Sequence, residues 1–277
     1  MTSAVIELRF DPFMRMDGVT VEWRSVALTL VILAALGLFI MAARRIRLAS
    51  LEDLVYVVLG TVPGAVVGGR IVHALSYPDV YLAEPGALLD LGRGSLSLLG
   101  AVLGGTVSAA YICRLLDGSV KRWADAAIVP LLLAIGLGKL VELLGGGGQG
   151  ASFDGPWSVA LTGDGPWRSA AAAVPAHPSQ VYEGLWTLAG IPLLAWWARR
   201  DASFAARAGG PFAAALGWWL GGRFLSGFTW RDDRLVGPLV VDQALALVVL
   251  TGLAAVLGPA LRSGVSWRRA EQTRTER

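Results

Sequence analysis

Charge is scarce in this chain of 277 residues. Asp, Glu, Lys and Arg make up 16% of it, where soluble domains carry roughly 25%. Apolar residues supply 55%, and the mean hydropathy is +0.57. That shortage argues against an ordinary soluble domain and points to an integral membrane protein built as one bundle, with a buried globular α-protein as the alternative. Cysteine is scarcer still. Cys113 stands alone, so no intramolecular disulfide framework exists, and its apolar setting, AAYICRLL, suits a small buried thiol. Histidine occurs only at positions 73 and 177. The net charge of +3 comes without a basic stripe carrying interleaved aromatics, which argues against nucleic acid. A cleavable signal peptide is not recognisable: the first apolar run follows mixed, charged residues and is long enough to remain as a span.

What the chain does have is apolar runs approaching the ~20 residues that cross a bilayer. They predict an all-α integral membrane protein, a seven-transmembrane-helix bundle formed as a single domain over 1–277. The helices are expected at about 25–43, 53–76, 95–116, 123–145, 178–198, 210–228 and 240–261. Gly and Pro inside these runs are tolerable where neighbouring helices re-satisfy the backbone. The only sizeable insert, 146–176, is dominated by Gly, Pro, Asp and Ser and has two Pro-Trp pairs. It reads as a small extracytoplasmic cap with interfacial aromatics, or else as a linker. A basic tail closes the chain at 263–277.

Lys and Arg fall on alternate connections. Arg44, Arg45 and Arg47 follow the first helix; Arg114, Lys121 and Arg122 the third; Arg199, Arg200 and Arg207 the fifth; Arg262, Arg268, Arg269, Arg274 and Arg277 the last. Segments 77–93 and 146–176 carry one arginine each, Arg93 and Arg168. The bias predicts an N-terminus outside and a C-terminus, with its basic tail, in the cytoplasm.

Ionisable groups at membrane depth usually face a cavity or a partner. Four stretches have them: Arg70 and His73 in GGRIVHAL; Lys139 and Glu142 in GLGKLVELLGGGG; His177, Ser179, Gln180, Tyr182 and Glu183 in HPSQVYE; and Arg223, with Arg231, Asp232 and Asp233 just beyond it. The predicted topology brings all four to the outer half. Blander readings exist for each. Lys139 and Glu142, three apart, suit an ion pair with each other. Arg70 and Arg223 suit snorkelling to headgroups. His177 suits a helix-start cap. Taken together, a cationic outward pocket suggests an anionic lipid headgroup, whose phosphate the arginine fork fits.

HPSQVYE resembles the HPSQLYE motif of the prolipoprotein diacylglyceryl transferase family, bacterial inner-membrane enzymes. GGRIVHALSYPDVYLAEP, GRGSLSLLGAVLGG, GLGKLVELLGGGGQG with the Pro-Trp at 156–157, and GGRFLSGFTWRDD with VVDQ resemble that family's other segments, so the likeness runs nearly the whole chain. It implies transfer of the diacylglyceryl group from phosphatidylglycerol to the lipobox cysteine of a preprolipoprotein, with glycerol phosphate leaving. It implies no metal and no cofactor. The partners it implies are phosphatidylglycerol, a preprolipoprotein signal peptide and membrane lipids. Departures are several. The signature arginine is Lys139, its asparagines are Glu142 and Gly145, and its glutamate is Gly147. The family's histidine in the second segment is Leu99, and its tyrosine after the first-helix tryptophan is Arg24.

The chemistry has three needs. An unperturbed thiol, of pKa ~8.5, must lose its proton; the phosphate must be held as charge develops; and the glyceryl carbon must be aligned with sulfur. On this resemblance His177, Lys139 and Glu142 are the expected catalytic residues, with His177 favoured as base over His73 and Glu183. Arg70, Arg223, Arg231, Gln180, Tyr182, Glu183 and Ser179 are expected to bind the phosphatidylglycerol headgroup. A non-catalytic paralogue that binds phosphatidylglycerol or lipoprotein precursors is the alternative, and a transporter, for which no internal repeat is visible, a third. Lys139, His177 and Arg231 around one phosphate-sized space would favour the enzyme. A filled, apolar gap around Leu99 and Gly147 would favour the binder.

Overall fold

The computed structural model describes residues 5–47, 50–90, 96–201 and 209–255. The expected basic tail at 263–277, the last turns of the helix expected to reach 261, Arg93 and Arg207 lie outside the described residues.

Most of the described chain is helical, in eight α-helices: α1 Trp23–Arg45, α2 Leu51–Ser76, α3 Pro78–Ala83, α4 Leu98–Leu115, α5 Val120–Val141, α6 Ser179–Arg200, α7 Gly210–Ser226 and α8 Val241–Ala255. Among the described residues, four segments are long and apolar enough to cross a membrane: Trp23–Arg45, Leu51–Ser76, Leu98–Leu115 and Val120–Leu144. Of the seven expected spans, α6 opens on the polar HPSQVYE, α7 has 17 residues, and α8 is described only to Ala255. The apolar surface is turned outward. α1 buries only Ala35 and Ala43, and it exposes Leu30, Leu33 and Met41. A soluble helix would do the reverse; lipid is the solvent that makes this arrangement stable.

The chain is not all-α as expected. Two small sheets precede and interrupt the bundle. Strands β2 Phe13–Met16 and β3 Val19–Glu22 form an antiparallel hairpin. Its two-residue loop is Asp17-Gly18, with φ of 36° and 85°. That sequence and those left-handed angles suit the primed turn that matches strand twist. β1 Ile6–Leu8 pairs in parallel with β4 Val159–Leu161 from the insert, whose three residues are all buried. The insert is thereby stitched to the N-terminus, and β3 runs directly into α1.

Close backbone contact joins α2 to α4. A Cβ on Gly68 would strike the carbonyl oxygen of Gly100, and one on Gly104 would strike that of Gly64. Small residues at i, i+4 spacing let membrane helices approach so nearly. Capping fixes where α2 starts: Ser50 and Asp53 form a reciprocal capping box. α6 and α7 are joined differently. Trp186 and Trp218 stack at 4.5 Å, and each indole N–H donates to the other's backbone carbonyl, at 2.9 and 2.7 Å. Gly222 and Gly190 leave the room these rings need. The interior between α4, α5, α7 and α8 is apolar, centred on Leu99, Leu132, Trp219 and Leu220.

Candidate functional site

Antiparallel alternation brings one end of each long helix to the same side. There, around the C-terminal ends of α2, α5 and α7 and the N-terminal ends of α6 and α8, lies a cavity of about 810 Å³. Leu28, Leu98, Ala101 and Ile135 give it an apolar wall. His73, Lys139, Gln180, Arg223, Arg231 and Asp242 give it a polar one.

The centre of the polar wall is a buried ion cluster. Glu183 is 1% exposed, and its carboxylate lies 3.0 Å from Lys139 Nζ and 2.7 Å from Arg223 Nη1. Arg223 Nη2 donates to one oxygen of Asp242, whose other oxygen accepts from Ser97 Oγ at 3.1 Å. The Trp230 ring lies 4.6 Å from Arg223 Cζ and 5.8 Å from Lys139 Nζ. A buried carboxylate is tolerable only with such partners. Lys139 therefore does not pair with Glu142, three residues on, as helical spacing allowed.

Glu142 pairs instead with α1. Its Oε1 accepts from Arg24 Nη1 at 3.0 Å, while Arg24 Nε donates to Glu22 Oε1 at 3.2 Å. Arg168, from the insert, donates through Nε to the same oxygen of Glu22 at 2.9 Å. The Arg168 hydrogen bond, helped by Arg24 and Ser25 and opposed by burial, brings the Glu22 carboxyl down to about 2. Arg168 is raised in turn by Glu22. Two glycines receive these groups. A Cβ on Gly147 would lie 2.0 Å from Glu142 Oε2, and one on Gly145 would lie 2.8 Å from Glu22 Oε1 and 2.9 Å from Arg24 Cδ.

HPSQVYE divides its labour. Gln180 lines the cavity, 2% exposed, and its Oε1 accepts no hydrogen bond among the described residues. The others lie behind. Ser179 Oγ reaches Thr229 Oγ1 at 2.7 Å, tying the start of α6 to the end of α7. His177 stacks on Phe153 at 4.0 Å, its Nδ1 lies 3.2 Å from Tyr182 OH, and its backbone pairs with Gly150 and Ala151. Burial lowers the His177 imidazole. It does not line the cavity; His73 does.

Of the residues expected from sequence, Lys139, Glu142, Gln180, Arg223 and Arg231 line one cavity, and Glu183 joins two of them. Arg70, Ser179, Tyr182 and His177 are not on its wall. Arg70 is 4% exposed and bonds to Tyr81 OH and the Asp90 carbonyl. Arg231 donates to Ser169 Oγ at 3.0 Å and has no carboxylate partner among the described residues. Leu99 is fully sealed in the apolar interior. Sequence reasoning missed Asp242 and Trp230 as members of the site. An acid closing the apolar VV of VVDQ was the one available signal for Asp242.

Residues 12–258 match the family described as prolipoprotein diacylglyceryl transferase. Among similar proteins, all named phosphatidylglycerol–prolipoprotein diacylglyceryl transferase, that of Bordetella parapertussis is 32% identical over 71% of this chain and 71% of its own. That of Bordetella avium is 29% identical over 88% of this chain and 92% of its own. That of Geobacter sulfurreducens is 30% identical over 63% of this chain, and the match spans just 66% of that relative.

Proposed function

Because the chain belongs to the prolipoprotein diacylglyceryl transferase family, we propose that it moves the diacylglyceryl group of phosphatidylglycerol onto the cysteine thiol of a prolipoprotein. One observation carries this reading: a single cavity of about 810 Å³ with an apolar wall and a cationic one. A phospholipid has the same division. Its tails suit Leu28, Leu98 and Ile135, and its phosphate suits the guanidinium of Arg231, which no carboxylate among the described residues occupies. Lys139 and Arg223 stand nearby, restrained by Glu183 and Asp242, so they supply fixed dipoles rather than free charge. Gln180 offers an amide to the headgroup. Glu142 holds its place through Arg24. Arg70, Ser179, Tyr182 and His177 serve by bracing the helices that carry these groups.

The same reading puts α6, α7 and α8 across the bacterial inner membrane with the four apolar spans, making seven. The N-terminus and the 146–176 cap then lie outside and the C-terminus in the cytoplasm.

A second reading, a non-catalytic relative that binds phosphatidylglycerol or lipoprotein precursors, draws on Leu99, which fills the interior where the resemblance puts a histidine. One experiment separates the two. The purified chain is incubated in detergent with phosphatidylglycerol and a peptide bearing one lipobox cysteine, beside Arg231→Ala. A diacylglyceryl mass increase that Arg231→Ala abolishes supports transfer. No increase, under conditions where a relative works, with phosphatidylglycerol still bound, supports the binder.

A further inference from the structure

We propose that His73 is the general base that accepts the proton of the incoming thiol, a deepening that rests on the transferase reading above. The sequence has two imidazoles, and only His73 is on the cavity wall. Its ring is held on two sides. Nδ1 lies 2.9 Å from Tyr81 OH, and the Tyr77 ring packs beside it at 4.7 Å between centroids. Tyr81 is itself buried, and its oxygen accepts from Arg70 Nη1 at 3.4 Å, while Arg70 Nη2 is bound to the Asp90 carbonyl. A phenol oxygen has a second lone pair, which can accept the Nδ1–H. That tautomer leaves the lone pair on Nε2. Nε2 is neither sealed from solvent nor hydrogen-bonded to a described residue, so it is the ring atom available to the cavity.

Of the competing carboxylates, all but Asp233, which also lines the cavity, are engaged. Glu142 is on Arg24, Glu183 is between Lys139 and Arg223, Asp242 is on Arg223, and Asp232 accepts from Tyr77 OH at 2.6 Å. An ordinary carboxylate, near ~4, is also poorly matched to a thiol near ~8.5, whereas an imidazole near ~6.5 is closer. The charged groups facing His73 are Arg70 on its own helix, Asp232 on the loop after α7 and Asp242 on α8; the phenol of Tyr81 comes from α3.

The step balances as follows. The S–H proton passes to Nε2. The sulfur pair forms the C–S bond to the glyceryl carbon, and the C–O bond to phosphate breaks with its pair on oxygen. The imidazolium then returns the proton to the departing glycerol phosphate.

The test is the transfer rate of the full chain in detergent against pH, with phosphatidylglycerol and the cysteine peptide. Wild type should lose rate on the acid side of the imidazole range, about pH 5 to 7. His73→Gln should be slower by about 10²- to 10⁴-fold and should lack that acid limb. Imidazole added to His73→Ala should restore turnover in proportion to its concentration. Thermal unfolding and phosphatidylglycerol binding report on folding. If His73→Gln does not fold, Tyr81→Phe replaces it and should slow turnover while moving the acid limb. Active wild type beside a His73→Gln of similar rate and unchanged acid limb overturns this inference alone. Inactive wild type overturns the transferase reading and this inference with it.

Discussion

One carboxylate oxygen of Glu142 lies 2.0 Å from where the Cβ of a side chain at Gly147 would stand. The two positions are therefore sterically coupled: the Glu142 carboxylate fits where it does only while position 147 has no side chain. Gly147→Glu alone should drive the two carboxylates together, displace Glu142 from Arg24 and abolish transfer. Glu142→Asn combined with Gly147→Glu should recover part of the loss. Transfer rates and thermal unfolding of both singles and the double check it; singles and double that lose equally would separate the two positions.

Glu183 holds Lys139 and Arg223 from a position that is 1% exposed. Glu183→Ala leaves two cations without their shared partner, and removing one member of a buried pair costs about 3–5 kcal/mol. The expected outcome is a marked fall in unfolding temperature in detergent. An unchanged temperature would mean that water or lipid neutralises the cations instead.

Glu22 ties the insert to the first helix through Arg168 and Arg24. Its carboxyl titrates at about 2 in the fold, with the Arg168 hydrogen bond the largest cause, and near ~4.3 when unfolded. Its contribution is thus complete above ~4.3 and is lost as pH falls towards 2. Hydrogen exchange in 159–161 should rise over that window. Glu22→Gln should exchange faster at neutral pH and lose the pH dependence.

Gly68 and Gly104 allow α2 and α4 to touch backbone to backbone. Gly68→Val should cost about 1–3 kcal/mol through overpacking. Gly37→Ala, on α1, meets nothing within 4 Å and should gain about 0.5–1 kcal/mol from helix propensity. Chemical unfolding in detergent compares them, and equal effects would remove the close contact as a source of stability.

Much of the helical membrane class was legible because lipid-facing helices need little more than apolar length. The strands were not, since three- and four-residue segments carry almost no periodic signal; the Asp17-Gly18 pair is the one local turn signal for the hairpin. The site was legible as a set of polar residues near helix ends. Its pairing was not. Spacing suggested Lys139 with Glu142, but each found a longer-range partner, 44 and 118 positions away, in Glu183 and Arg24. The glycines at 145 and 147 read as losses in sequence because emptiness there becomes meaningful only when Glu22, Arg24 and Glu142 fill it.

The parallel pairing of Ile6–Leu8 with Val159–Leu161 sets an order for biogenesis. The first strand leaves the ribosome long before its partner exists. Four apolar helices must be threaded into the bilayer in between. Closing so long a loop is entropically slow. The N-terminal strand therefore waits unpaired during synthesis, and the sheet that ties the insert to the N-terminus is finished only after the first half of the bundle is in place.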